Sequence, residues 1–275
     1  MTSNALQDLA VQALSVTLLF SVGLGLDLPR LWRTLMRWEL LLGVVLYNFV
    51  AVPALAITSG WFVSQSAVVA GIVLTAIAPA GGTGTLLTRI GGGNMELSVC
   101  LLGIMTALAL PVTPWLAVLL MPADAARSLP VMSLAMTLFG FQFLPLTVGM
   151  LLRRLHGAAA DRADRVARPL SNVLFVGLVA GLVALKGALL VEVGLPGLAF
   201  MIVLVLVSLL LPMLARLDRP DLTAVSLTSA VRNISLALLL STSFFGDLTT
   251  ITVLAYGLAM YLIGVPWARW LRRAV

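Results

Sequence analysis

Apolar residues gather along the chain in nine stretches, at approximately 5–27, 38–60, 66–88, 95–121, 128–152, 170–191, 194–215, 222–245 and 249–271. Each reaches the roughly 20 mostly apolar residues that carry an α-helix across a bilayer. The connections are short except for 153–169, which reads as a charged loop. No stretch has the pattern of a water-soluble domain, and no low-complexity tract or compositional shift marks a linker. The pattern predicts an all-α integral membrane protein, one membrane domain over 1–275, with nine transmembrane helices. The first stretch carries Asp8, has no positive leader and is followed by Arg30, Arg33 and Arg37. It is expected to stay as a first helix rather than to be cleaved as a signal peptide.

Composition narrows the function. With 61% apolar and 10% charged residues, the chain has too little polar surface to clothe a soluble globule. That excludes a cytosolic enzyme, a nucleic-acid-binding domain and a secreted module. The net charge of +6 reports topology instead. With the N-terminus outside, the inner side receives Arg30, Arg33, Arg37, Arg89, Arg153, Arg154, Arg162, Arg165, Arg168, Arg216, Arg219, Arg269, Arg272 and Arg273, 14 of the 17 basic residues. The outer side receives Arg127 and Lys186, and Arg232 falls inside a span. This bias predicts a multi-pass protein of the cell (inner) membrane with its N-terminus outside and its C-terminus cytoplasmic. Trp32, Trp38, Trp61, Trp115, Trp267 and Trp270 all fall near span ends, where indole rings prefer the headgroup layer. A single cysteine, Cys100, and a single histidine, His156, leave no disulfide, thiolate metal cluster or Ser/His/Asp triad. With no nucleophile–base pair or paired carboxylates in the spans, neither an enzyme nor a cofactor is expected.

Two segments echo one another: Phe49-Val-Ala-Val-Pro53-Ala-Leu-Ala56 in the second span and Ser208-Leu-Leu-Leu-Pro212-Met-Leu-Ala215 in the seventh. Those spans run in opposite directions, and each precedes an unusually polar span, the signature of an inverted repeat. The third span holds Pro79-Ala80-Gly81-Gly82-Thr83-Gly84-Thr85. Proline and clustered glycine break the backbone ladder, as in the discontinuous helices of transporters. Close packing through small residues is the blander reading. The eighth span holds Ser226-Leu-Thr228-Ser229-Ala-Val-Arg232-Asn233. Arg232 lies about ten residues from either end, too deep to snorkel, and no Asp or Glu maps to mid-membrane. Its partner is either an anionic substrate or carbonyls freed at a helix break. Asn48 and Gln142 are further polar residues in apolar spans, where they can hydrogen-bond across helices.

At these residues the chain resembles the bile acid:sodium symporter family, over nearly its whole length. Phe20-Ser-Val-Gly23-Leu-Gly25-Leu-Asp-Leu-Pro29 resembles that family's glycine-rich helix end. Pro79 to Thr88 and Gly93-Asn94-Met-Glu-Leu97-Ser98-Val99 are similar to its Pro-Gly-Gly-Thr-x-Ser-Asn-x-x-Thr…Gly-Asn-x-x-Leu-Ser-Val crossover motif. Thr228-Ser-Ala-Val-Arg232-Asn233 is similar to its Glu-x-Gly-x-Gln-Asn motif. The resemblance implies an inverted-repeat transporter with two broken, crossing helices and without a tenth, N-terminal helix. Its panel helices would be approximately 5–27, 128–152 and 170–191. Its core helices would be approximately 38–60, 66–88, 95–121, 194–215, 222–245 and 249–271. It also implies a small or amphipathic organic anion as substrate, ordinarily coupled to two sodium ions.

The substrate residues so implied are Arg232, Asn233, Thr228, Thr83, Gly84 and Thr85. The remnants of a cation site are Asn48, Thr85, Ser98, Thr228 and Ser229. Here the sequence departs from the family. A Ser-Asn pair is replaced by Gly84-Thr85, a shared carboxylate by Thr228, a glutamine by Arg232, and a threonine by Leu102. Sodium is a hard cation that seeks oxygens of negative character. Loss of the carboxylate and gain of a fixed cation disfavour it. The expectation is an organic-anion transporter with weak or no sodium coupling. A sodium-coupled symporter using a degenerate site, and a non-transporting receptor or scaffold, are the alternatives. The lipid bilayer and a small organic anion are the expected partners, with no nucleic acid.

Overall fold

The structure is a computed structural model, and it describes residues 3–126 and 129–273. Arg127, placed outside by the charge argument, lies beyond the described residues. The helices in chain order are α1 (Ser3–Gly25), α2 (Leu28–Leu35), α3 (Trp38–Leu46), α4 (Val52–Ile57), α5 (Ser66–Ile77), α6 (Thr83–Ile90), α7 (Met95–Leu120), α8 (Ala123–Ala126), α9 (Val131–Leu138), α10 (Leu144–Leu155), α11 (Gly157–Lys186), α12 (Leu190–Leu210), α13 (Arg219–Ala230), α14 (Ile234–Phe244) and α15 (Asp247–Arg273). Six helical runs are long and apolar enough to cross a membrane: Leu6–Gly25, Trp38–Trp61, Met95–Leu120, Val131–Leu155, Gly157–Leu214 and Asp247–Arg273. The protein is an all-helical, multi-pass membrane protein.

The charged segment 153–169 corrects the sequence reading. It is helical except at His156, where α10 hands over to α11. Gly157-Ala-Ala-Ala is followed by Asp161, Arg162, Asp164, Arg165 and Arg168, strong helix formers apart from the aspartates. Asp164 pairs with Arg168 at 2.5 Å across one turn. Alanine content and turn-spaced charge outweighed polarity.

Two helical runs are locally rewound. A π-turn at Tyr47–Ala51 joins α3 to α4, and another at Phe139–Phe143 joins α9 to α10. Pro53 and Pro145 follow them. A proline has no N–H to give to the preceding turn, so an extra residue is accommodated there. Both mid-span amides, Asn48 and Gln142, sit in these π-turns and are buried.

Helices α1, α10 and α11 lie against one another. A Cβ at Gly23 would come 2.1 Å from the Leu146 carbonyl, and one at Gly149 would come 2.4 Å from that of Phe20. The α1 and α10 backbones therefore touch through glycine, as membrane helices do where small residues face each other. Helices α5 and α12 pack on α15, α13 packs on α6 and α7, and α1 crosses α14.

Candidate functional site

The two polar spans are each interrupted. Helix α5 ends at Ile77 and α6 begins at Thr83; α13 ends at Ala230 and α14 begins at Ile234. The extended pieces between them meet antiparallel at Ala80 and Arg232. Gly81 N donates to Val231 O at 2.7 Å, and Asn233 N donates to Pro79 O at 2.7 Å. Each break satisfies backbone groups freed by the other, which in hydrocarbon removes the cost of leaving them bare. Gly81 has to be glycine here, because a Cβ would stand 2.4 Å from the Arg232 carbonyl oxygen.

These backbone bonds also correct one of the two roles considered for Arg232. The guanidinium does not cap the freed carbonyls. Its Nη1 donates to Asn48 Oδ1 at 3.0 Å, and its Nε and Nη2 have no hydrogen-bond partner among the described residues. Arg232 is fully buried. Asn48 is itself held by Nδ2, which donates to Val44 O at 2.8 Å and to Ser229 Oγ at 3.1 Å. The π-turn at Tyr47–Ala51 thus brings an amide from the second span onto two residues of the second break.

Asn233 caps α14, its Oδ1 accepting from Leu236 N at 3.1 Å and from Ser235 Oγ at 2.8 Å. Its Nδ2 donates to Gln142 Oε1 at 3.0 Å, and Gln142 Nε2 donates to Ser15 Oγ. The other π-turn therefore ties the same break to α1.

Ser98 and Thr228, two of the expected cation-site remnants, hydrogen-bond to each other at 2.6 Å. Thr88 joins them, 3.1 Å from Ser98 Oγ, while donating to Gly84 O at 2.9 Å. All three hydroxyls are buried. Asn48 and Ser229 form a second group around Arg232, and Thr85 belongs to neither. Its hydroxyl donates to Gly82 O at 2.8 Å.

A cleft of about 190 Å³ opens between α1, α6, α7 and α11, and its lining includes Ser21, Thr83, Thr85, Arg89, Arg168 and Asn172. A smaller pocket of about 30 Å³ shares Gly82, Thr83 and Asn172 with it and extends to Arg232, Asn233 and Tyr261. Thr83 Oγ1 is hydrogen-bonded to Tyr261 Oη at 2.6 Å. Of the expected substrate residues, Thr83 and Thr85 face the cleft, and Arg232 and Asn233 border the small pocket. Gly84 and Thr228 face each other instead, a Cβ on Gly84 falling 3.1 Å from Thr228 Cα, and line neither. Sequence reasoning missed Thr88, Tyr261, Asn172 and the part played by Gln142. Thr88 carried a signal as the matched threonine of the crossover motif, and Gln142 as an amide among apolar residues ahead of a proline. A larger groove of about 900 Å³, between Met36–Ala51 and Leu211–Leu217, is lined mostly by apolar residues with Arg37 and Glu39 among them, and it does not include the two breaks.

Two interrupted membrane helices that meet at their breaks, beside a polar cleft, define a membrane transporter scaffold. The family model described as Sodium Bile acid symporter family matches residues 13–193, more than half of the chain. The chain belongs to that family, and it is a transporter rather than an enzyme. It is also 26% identical over 245 residues to the uncharacterized sodium-dependent transporter YocS of Bacillus subtilis (strain 168), covering 85% of this chain and 74% of that one. The segment around Arg232 lies beyond the family match.

Proposed function

We propose that this transporter carries a small organic anion by alternating access, with Arg232 standing in for the cation that a sodium-coupled relative would bind. The observation that carries this reading is the contact of Arg232 Nη1 with Asn48 Oδ1, the amide that the resemblance assigns to a cation site. A guanidinium held there brings permanent positive charge, since it does not titrate in any accessible pH range. No second cation is then needed to offset an anionic substrate. The substrate class follows from the cleft. Its Thr83 hydroxyl can donate to a carboxylate while accepting from Tyr261 Oη, and Arg89 adds positive potential at the same opening. Its volume of about 190 Å³ falls below the roughly 300–1,000 Å³ of drug-sized sites. That supports a compact carboxylate over a steroid.

In this reading the chain crosses the membrane nine times. Gly157–Leu214 makes two crossings, turning near Gly194, where φ is +70°. Each interrupted pair, α5–α6 and α13–α14, makes one. Helices α1, α9–α10 and α11 form the panel, and the remaining crossings form a core built on an inverted repeat. The core moves against the panel to expose the cleft to either side. The N-terminus lies outside the cell membrane.

A second reading keeps sodium coupling. It is favoured by the sodium dependence in the relative's name and by the clustered oxygens of Thr88, Ser98 and Thr228. Uptake of radiolabelled small carboxylates into proteoliposomes separates the two. We expect initial rates in sodium and in choline media to agree within about twofold, less than 0.5 kcal/mol of coupling. A steep, saturable rise with sodium would establish the second reading. Orientation has its own test. In a Cys100→Ala background, a cysteine at Ser64 should react with an impermeant maleimide from outside, and one at Arg216 should not. The reverse pattern would overturn the orientation.

A further inference from the structure

Most polar side chains lining the cleft and its small neighbour are already engaged within the protein. Ser21 donates to Asp164 Oδ1 at 2.7 Å, and Arg168 pairs with Asp164 Oδ2 at 2.5 Å. Ser171 donates to the Ala167 carbonyl at 2.7 Å, and Thr85 is turned onto Gly82 O. In the small pocket Arg232 is held by Asn48, Asn233 by Gln142, and Ser235 by Asn233. Two polar lining residues, Arg89 and Asn172, have neither a hydrogen bond nor an ion pair among the described residues. Arg89 lines the cleft alone, whereas Asn172 stands where the two cavities join.

That junction has two walls. Thr83 opens α6, Asn172 belongs to α11, and both residues line both cavities. A carboxylate at the Thr83 hydroxyl sits at the N-terminal end of α6, where the helix dipole favours negative charge. A group on the carbon next to that carboxylate can then enter the small pocket beside Asn172. The pocket, at about 30 Å³, has room for one group of about the size of a water molecule. An amide offers donors and an acceptor together, and a hydroxyl can answer both. A bare methylene would leave the amide unanswered. An ammonium would meet the positive charge of Arg232, which borders the same pocket and belongs to none of the ion pairs among the described residues.

Building on the carboxylate-transport reading, we propose that Asn172 selects the substrate and that the preferred substrates are 2-hydroxycarboxylates. The carboxylate binds at Thr83 and the 2-hydroxyl at Asn172, so that α6 and α11 grip the substrate together. The same position discriminates against plain carboxylates and against 2-amino acids.

The test is uptake of radiolabelled lactate and propionate, alike but for one hydroxyl, into proteoliposomes holding the full-length protein, with uptake by empty liposomes subtracted. The apparent KM for lactate should be about fivefold lower than for propionate, the worth of one neutral hydrogen bond. Alanine should compete poorly with either. Asn172→Leu should bring the two KM values together, and Asn172→Ala should do the same if leucine disturbs α11. A purely structural role for Asn172 would change uptake of both substrates by one factor and keep their ratio. Equal KM values in the parent, an unchanged ratio in both variants, or competition by alanine as strong as by lactate would each overturn this inference and leave carboxylate transport standing. Uptake of neither carboxylate would remove the transport reading, and the inference with it.

Discussion

Gly81→Ala should abolish carboxylate uptake and destabilise the protein by about 3 kcal/mol or more, measured by proteoliposome flux and by thermal unfolding in detergent. The added methyl would meet the Arg232 carbonyl oxygen at 2.4 Å and its carbon at 2.8 Å. Both atoms are backbone, so no side chain can swing aside. The two breaks would have to separate, losing the bonds Gly81 N to Val231 O and Asn233 N to Pro79 O. Four backbone groups would then stand bare in a dry interior, at about 1–3 kcal/mol each before relaxation. Gly43→Ala is the control, since nothing lies within 4 Å of a Cβ there. It should leave uptake and melting unchanged. Normal uptake by Gly81→Ala would mean that the crossing tolerates opening and is not the pivot of transport.

Arg232→Gln should lower apparent affinity for a small carboxylate by roughly tenfold or more while the protein still folds. At a separation of about 10 Å and an effective dielectric of about 20, one unit charge contributes about 1.7 kcal/mol, or roughly 15-fold in affinity. Glutamine keeps a polar group that can reach Asn48 but carries no charge. Arg232→Lys keeps the charge, yet a point ammonium lacks the planar fork that meets Asn48 and faces Tyr256 together. Its affinity should therefore fall between those of the parent and Arg232→Gln, with a lower melting temperature than the parent. Unchanged affinity in Arg232→Gln, with only melting reduced, would make Arg232 a structural brace and remove the support for a tethered cation.

How far the sequence reached depended on the kind of signal. Long apolar runs are local and additive, so the membrane class, the helical segments and the places where two of them break were legible in the order of residues. Pro79 with Gly81 and Gly82 announces an opened backbone wherever it sits. The 153–169 segment misled because charge density suggests a loop, while alanine content and turn-spaced charges favour a helix. Glycine spacing in the third span told that something must come close, though not what. The approach of Arg232's backbone to Gly81 answers that.

What the chain alone determined is therefore its solvent, its helical runs and the two points of rupture, since each follows from the chemistry of neighbouring residues. The tertiary structure decided the rest. It sent the Arg232 side chain to Asn48 and its backbone to Gly81, and it moved Thr85 away from Ser98 and Thr228. It also brought Tyr256 to the guanidinium from a helix 24 residues further along the chain. Such contacts join residues far apart in sequence, and their partners are set by helix rotation. Prolines at positions 53 and 145 govern that rotation for Asn48 and Gln142 through the π-turns before them. An apolar pattern fixes which segments enter the membrane; it leaves open which face of each turns inward, because in lipid both faces can be greasy and only the close polar contacts choose.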